Sequence, residues 1–398
     1  MSKDVFILGG KRTPMGEYVG VLKDVSAIDL GAVAARGALE ATKVQPDEID
    51  HAVIGNALQT SGDAIYGARH VALKAGVPFD RPALTVNRLC GSGIQSIVSG
   101  AQMIQLGEAR TCLVGGMESM SQAPHVIRGA RSGFALGQGK LEDSLMVALL
   151  DTYCNTPMAG TAENLARKFE ISREEQDKYA LRSQQEAKRA KDAGVFAEEI
   201  VAVDIKTRKG TTQVTDDDHP RPETTLEVLA KLKPAFAHDG FVTAGNASGI
   251  VDGAAALVIA GEEFVKQRDL KPLGRIVSWA YAGVEPELMG LGPVPATKKA
   301  LDRAGLTLDG IGLFELNEPF AVQVLSWCDG LGVEPEDERL NPYGGAIACG
   351  HPLAATGVRL LAQLAYGFRE RPDVRYGLAA LCVGMGMGAA LIWENVAA

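Results

Sequence analysis

The stretch Ala83-Leu84-Thr85-Val86-Asn87-Arg88-Leu89-Cys90-Gly91-Ser92-Gly93 runs from an apolar, strand-like segment into a glycine-flanked turn, and then into a helical pattern that reaches Leu106. It has a counterpart near the other end of the chain. Asn56 precedes Cys90 by 34 residues and Asn317 precedes His351 by the same 34, so both pairs recur at an offset of 261. Upstream, Ala38-Leu39-Glu40 and Ile49 match Ala300-Leu301-Asp302 and Ile311 at an offset of 262. Each half therefore reads helix, strand, asparagine at the strand end, then a reactive side chain in a glycine-rich turn before a helix. Self-similarity in that order indicates a duplicated unit.

Working outward, Val5-Phe6-Ile7-Leu8, Ala52-Val53-Ile54-Gly55 and Thr111-Cys112-Leu113-Val114 read as further buried strands, with amphipathic stretches at 27–41 and 94–106 between them. Alternation of this kind predicts α/β layering with a partly parallel sheet. The scheme returns after residue 272, with strands at 313–316 and 377–381. Residues 122–247 differ in texture. A long charged helical pattern covers 163–193, a polar and strand-poor stretch covers 206–221, and Asp216-Asp217-Asp218 ahead of two prolines marks a loop. Long insertions in compact proteins tend to carry function. The expected organisation is an N-terminal half at 1–121 completed by about 248–271, a loop domain at 122–247 covering the active site, and a C-terminal half at 272–398.

The 398 residues are too many for one ordinary core, and 46% hydrophobic with 22% charged is the balance of a soluble globular protein. A net charge of −9 argues against nucleic acid or an anionic membrane as the main partner, while leaving room for an anionic small ligand at a local basic patch. No apolar run reaches the roughly 18 residues of a membrane span. The start, Met-Ser-Lys-Asp-Val-Phe-Ile-Leu-Gly-Gly, lacks the apolar core of a secretory signal. Six cysteines (Cys90, Cys112, Cys154, Cys328, Cys349, Cys382) form no Cys-x-x-Cys pair, so their spacing fits neither a disulfide scaffold nor a metal site. A reducing, bacterial cytoplasmic setting is the expectation, with a mitochondrial matrix as the alternative.

A thiol attacks carbonyl carbon only as thiolate, and a free one is mostly protonated at neutral pH. Cys90 at a helix N-terminus gains partial positive charge beside its sulfur; the competing reading is a small buried cysteine in a crowded turn. His351 precedes Pro352, which keeps the histidine backbone extended and suits the first turn of the next helix. Cys382-Val383-Gly384-Met385-Gly386-Met387-Gly388 is no dinucleotide loop, because a strand-like run and not a helix follows it. It fits either backbone N–H groups offered to an oxyanion or a tight hairpin with glycines at positive φ. Asn317-Glu318-Pro319 places an amide at a strand end, where it positions a water or carbonyl, or simply caps a helix starting at Pro319. Arg221, Lys231 and Lys233 are candidate phosphate partners or ordinary solvated charges.

With these residues in hand, the chain resembles the thiolase family over essentially its whole length. The motifs are Asn87-Arg88-Leu89-Cys90-Gly91-Ser92-Gly93, Gly115-Gly116-Met117-Glu118-Ser119-Met120-Ser121, Gly245-Asn246-Ala247-Ser248, Gly292-Pro293-Val294-Pro295-Ala296, Asn317-Glu318-x-Phe320-Ala321, Gly350-His351-Pro352 and the Cys382 loop. Asp63-Ala64-Ile65-Tyr66-Gly67-Ala68-Arg69-His70, Pro157-Met158-Ala159 and Arg221-Pro222-Glu223-Thr224-Thr225 make it most similar to the mitochondrial-type 3-ketoacyl-CoA thiolases. The resemblance implies the five-layered α-β-α-β-α fold, a homodimer or homotetramer, CoA thioesters as substrates and no permanently bound cofactor. It implies that Cys90 attacks a 3-oxoacyl-CoA, His351 activates it, and Cys382 moves the proton of acetyl-CoA. Asn317 through a water, with His351, would form one oxyanion site, and the N–H groups of Cys90 and Gly384 the other. Arg221, Thr224 and Ser248 correspond to CoA contacts, with Met158 and Phe320 near the pantetheine.

Three departures stand out. Pro157 occupies a position where many acetoacetyl-CoA thiolases carry histidine, Pro319 replaces an alanine, and Ala354 and Ala355 replace glycine. None removes a reacting atom. An acetoacetyl-CoA-specific biosynthetic thiolase is the alternative activity. A ketoacyl-carrier-protein synthase, which would bring a second histidine at Asn317, and a non-catalytic acyl-CoA-binding homologue are more distant ones.

Overall fold

Alternation along the strands builds the layers. The computed structural model of the chain describes residues 4–208 and 210–397. In it, the strand Val251–Gly261 sends Ala255, Leu257 and Ile259 to one face and Ala254, Ala256, Val258 and Ala260 to the other. The first face meets the helices Ser92–Leu106 and Leu353–Glu370, the second Ala27–Thr42 and Gly67–Lys74. The strand Tyr376–Val383 repeats the division. Ala379, Leu381 and Val383 face the same two central helices, while Leu378 and Ala380 face Pro293–Ala304 and Ala321–Leu331. Strands buried on both faces read as unbroken apolar runs, and the resulting stack is helix, sheet, helix, sheet, helix. The five-layered α/β fold is the one the sequence implied.

The strands form one continuous sheet in the order Leu313–Leu316, Tyr376–Val383, Met387–Glu394, Gly274–Gly283, Val5–Arg12, Val251–Gly261, Thr111–Glu118, His51–Gly55, Ala83–Val86. Its halves join where Phe6 and Ile7 pair antiparallel with Arg275 and Gly274. In each half the inner pairs are antiparallel and the outer pairs parallel. The C-terminal counterpart of Ala83–Val86 has shrunk to a single parallel bridge between Phe314 and Leu340. The duplication seen in the residue offsets is thus a duplication of topology.

The two central helices cross at close range because glycine permits it. A Cβ on Gly93 would lie 2.7 Å from the Ala354 carbonyl oxygen, and on the strand Thr111–Glu118 packed against the same turn a Cβ on Gly116 would lie 1.9 Å from that atom. Ala354 and Ala355 are fully buried in this crossing. It brings the start of each helix, and hence each reactive turn, to the middle of the molecule.

Two expectations for the insertion are corrected. The charged pattern over 163–193 is two helices, Met158–Lys168 and Arg173–Asp192, because Ser172 starts the second with a capping box. Its hydroxyl accepts from the Glu175 N–H at 3.2 Å and its own N–H donates to the Glu175 carboxylate at 2.7 Å. The stretch 206–221 is not strand-poor: Val203–Thr207 and Gly210–Val214 form an antiparallel hairpin, polar because its outer face is exposed. The acidic run after it is anchored. Asp217 accepts from Arg12 at 2.7 and 3.0 Å, Glu199 accepts from the same guanidinium at 2.9 Å, and all three side chains are buried. Among the described residues no helix is long and apolar enough to cross a membrane.

Candidate active site

Cys90 is presented by a turn held through short-range hydrogen bonds. Asn87 Oδ1 accepts from the Leu89 N–H at 2.9 Å, Ser92 Oγ accepts from the Arg88 N–H at 2.8 Å, and Ser92 Oγ donates to the Leu89 carbonyl at 2.7 Å. Leu89 adopts φ 48° to close it. The helix begins two residues later, at Ser92. Gly91 leaves room for Val383, whose Cγ2 would sit 2.9 Å from a Cβ there. Cys90 is half-buried, yet protein crowds its sulfur. Burial pushes the thiol up to about 11, the Glu118 charge adds to the rise, and the N–H groups of Gly384 and Cys90 itself work against it. The helix terminus expected to hold a thiolate is outweighed by desolvation, so the resting group is a neutral thiol.

His351 follows Gly350 at φ 89° and is tied by its N–H to the Gly249 carbonyl at 3.0 Å. Pro352 occupies the cap position and the helix runs Leu353–Glu370. The imidazole Nδ1 lies 2.6 Å from Thr356 Oγ1, and Nε2 lies 3.5 Å from Asn317 Nδ2. With Nδ1–H donated to Thr356, an assignment that rests on the hydrogen-bond network, Nε2 carries the free lone pair. Burial, helped by Arg359, lowers the imidazole to about 3, so it too is neutral at rest.

Asn317 closes the strand Leu313–Leu316 with its N–H on the Ala380 carbonyl at 2.9 Å. It caps nothing: the next helix starts at Ala321 with Phe320 in the cap position. Its Oδ1 is buried without a hydrogen-bond partner, which leaves that oxygen free to accept from a water O–H. Pro319 does not disturb the turn, since its carbonyl accepts from the Ser248 N–H at 2.9 Å.

Cys382 sits at the end of Tyr376–Val383, opposite Gly388 across a tight hairpin. Met385 and Gly386 turn it with φ 67° and 72°. The two readings of this loop therefore hold together, because the hairpin is what aims the Gly384 N–H at the Cys90 sulfur. Cys382 is buried, and desolvation raises its thiol well above the ordinary range, with the nearby Cys90 adding to the effect.

The remaining candidates fall into two groups. Arg221 and Thr224 line a cavity of about 550 Å³ together with His219, Gln184, Leu229 and Gly245. Arg221 is exposed, its guanidinium bonded to Glu17 at 2.6 Å and to the Asp218 carbonyl at 3.0 Å. Lys231 and Lys233 are exposed and lie outside that lining. Ser248 and Phe320 belong to adjoining strands of a turn bridged at Ala247 and Phe320, and Met158 places its sulfur beside Gly384. Gly249 joins the groups: a Cβ there would lie 2.2 Å from the His219 ring, and its carbonyl holds His351.

Sequence reasoning missed Thr356, Arg359 and an apolar cluster at Cys90 formed by Met120, Leu145, Leu149, Leu353 and Ile250. A hydroxyl five residues after a helix-opening histidine was the available signal for Thr356. Chemically, the assembly offers a neutral thiol, a neutral base, two N–H groups facing the sulfur, and a second thiol beside the first.

The family models "Thiolase, N-terminal domain" and "Thiolase, C-terminal domain" match residues 5–263 and 270–395. A relative named "3-ketoacyl-CoA thiolase, mitochondrial" from Homo sapiens is 51% identical over 396 residues, covering 99% of both chains. The crystal structure of human mitochondrial 3-ketoacyl-CoA thiolase superposes with a TM-score of 0.96 at 51% identity, covering 99% of each chain. The same enzyme in complex with CoA superposes at 0.95 with 50% identity, covering 99% of this chain and 98% of that one. These matches overturn the expectation of a bacterial cytoplasmic protein, since relatives at 51% identity over 99% of the chain are mitochondrial.

Proposed function

This chain belongs to the thiolase family, and from that premise we propose which of its residues do the chemistry. The enzyme is an acetyl-CoA acyltransferase: it cleaves 3-oxoacyl-CoA with CoA to acetyl-CoA and a shortened acyl-CoA, and in reverse condenses acetyl-CoA. Cys90 is the nucleophile. Its S–H proton passes to His351 Nε2 as sulfur bonds to the 3-keto carbon, and the alkoxide is held by the N–H groups of Cys90 and Gly384. The carbon–carbon bond then breaks, its electron pair staying with acetyl-CoA as an enolate. Asn317, through a water, and His351 stabilise that enolate while Cys382 delivers a proton to carbon. Incoming CoA gives its thiol proton to Cys382 and its sulfur attacks the Cys90 thioester; the Cys90 sulfur is expelled and takes back the proton held on His351, and the shortened acyl-CoA leaves. Each N–H donor at such an oxyanion contributes about 2.7–4 kcal/mol. The observation that carries this reading is the pair of N–H groups facing the Cys90 sulfur with Cys382 beside it.

CoA is assigned to the cavity at Arg221 and Thr224, with its pantetheine passing Ser248, Met158 and Phe320 toward the sulfurs. Support comes from His219, which lines that cavity and packs against Gly249, whose carbonyl in turn accepts from the His351 N–H. The acyl chain lies against Met120, Leu145, Leu149 and Ile250, so residues of the 122–247 loop domain set its length. The two halves on either side, 1–121 with 248–271 and 272–398, carry the reacting groups. We assign a homodimer or homotetramer, in a mitochondrial matrix setting, with CoA and its thioesters as substrates.

The test is CoA-dependent cleavage of 3-oxoacyl-CoAs of increasing chain length by the wild type and Cys90→Ala. Cleavage across several lengths, lost in the variant, supports the reading. Activity confined to acetoacetyl-CoA selects the biosynthetic alternative, and unchanged activity in Cys90→Ala refutes it.

A further inference from the structure

The run Gly115-Gly116-Met117-Glu118-Ser119 has no part in the chemistry above. Glu118 ends the strand Thr111–Glu118 and is completely buried. Its carboxyl reaches both halves of the duplicated fold. Oε1 accepts from Asn56 Nδ2 at 2.8 Å and the Leu58 N–H at 2.9 Å, and Oε2 from the Ala57 N–H at 3.2 Å and the Ala354 N–H at 3.2 Å. Ala354 lies in the first turn of the helix that His351 leads into, and Ala57 and Leu58 line the apolar cluster at Cys90. All four partners are N–H donors and none is a cation. We propose that Glu118 is a positioning residue for the thiolase reaction, whose ionised carboxylate locks the Asn56–Leu58 turn to the start of the His351 helix and so holds His351 and Cys90 in working register.

The chemistry of the four donors explains why ionisation matters. A carboxylate offers lone pairs to all of them, whereas a protonated carboxyl turns an O–H toward N–H groups that cannot accept it. A buried anion held only by dipoles is also costly. Desolvation accordingly raises Glu118 to about 7, with the four hydrogen bonds opposing the rise. The lock is closed above that value and opens as pH falls through it. Titratable and charged groups on the elements packed around Glu118 include Cys90, Cys112 on its own strand, Asp252 next to its strand partner Gly253, His51 at the far end of the neighbouring strand, His351, and the buried Arg359 on the His351 helix. His351 titrates near 3, Cys90 near 11, and Asp252 is a carboxyl raised by burial but bonded to the Ser121 N–H at 2.9 Å on the outer side.

This inference rests on Cys90 and His351 being the reacting pair, and the experiment keeps the two apart. The pH dependence of kcat/KM is measured for wild type, Glu118→Gln, Glu118→Asp and Cys90→Ala. The wild type is expected to lose activity below a midpoint near 7. Glu118→Gln is expected to drop kcat by roughly ten- to hundredfold, as for loss of hydrogen bonds to a charged group, to leave KM for CoA unchanged, and to lose the acid limb. Glu118→Asp keeps the limb while lowering kcat. A Glu118→Gln enzyme with wild-type kcat and limb overturns the proposal. So does a flat wild-type profile from about pH 5.5 to 8, which needs no variant to fold. Activity in Cys90→Ala overturns the underlying reading instead.

Discussion

At the scale of single residues, both reacting groups are neutral before substrate arrives. Cys90 is raised to about 11 and His351 lowered to about 3, so the ion pair of a preformed thiolate and imidazolium does not exist at rest. The alkylation rate of Cys90 by iodoacetamide is therefore expected to keep climbing past the ordinary thiol value of 9.0 and to level off near 11. A plateau reached by about pH 8 contradicts this. Thr356 is the second residue that matters. It orients His351 through Nδ1 at 2.6 Å, and Thr356→Val removes that bond at little change in shape. Steady-state kinetics should show kcat lowered about two- to tenfold with KM for CoA unchanged, and an unaltered kcat contradicts the role.

At the scale of elements, the site exists because two helices cross where glycine lets them. Gly116→Ala, on the strand Thr111–Glu118 that packs against the crossing, forces a Cβ to 1.9 Å from the Ala354 carbonyl oxygen, which cannot swing away. Overpacking of this kind costs about 1–3 kcal/mol, read as a lowered urea midpoint. Asp217→Ala leaves Arg12 buried with one carboxylate in place of two, and breaking a buried pair costs about 3–5 kcal/mol in the same measurement. These elements also show where the sequence was legible. Most strands, the central helices and the Cys90 and His351 turns could be read from apolar runs, glycines and the 261-residue offset, since local chemistry specifies each; Gly274–Gly283, which alternates buried and half-buried residues, went unread. The break between Met158–Lys168 and Arg173–Asp192 was masked by continuous charge, although Ser172 and Glu175 spelled a capping box. The Arg12–Asp217 pair joins residues 205 apart, and no local pattern announces such a contact. Desolvation at Cys90 was hidden for the same reason, since burial comes from the fold and not from the turn.

At the scale of the whole molecule, Ala83–Val86 ends the sheet, paired among the described residues with His51–Gly55 along its other edge. Leu84 is 41% exposed on it, and Phe79 just before it is 85% exposed. An open, apolar edge strand invites pairing with a second copy. Leu84→Arg is expected to shift the protein toward monomer in sedimentation, and an unchanged assembly state places the interface elsewhere. The molecule as a whole then reads as a duplicated scaffold that carries the proposed nucleophile on one half and the proposed base on the other, with the second thiol arriving on the last hairpin.

The most direct test of that account is to mix the enzyme with a 3-oxoacyl-CoA in the absence of free CoA and locate the acyl group by peptide mass spectrometry. The account predicts one shortened acyl group on Cys90, released as acyl-CoA when CoA is added. An acyl group found on Cys382 or Cys349, or none at all with substrate consumed, contradicts it.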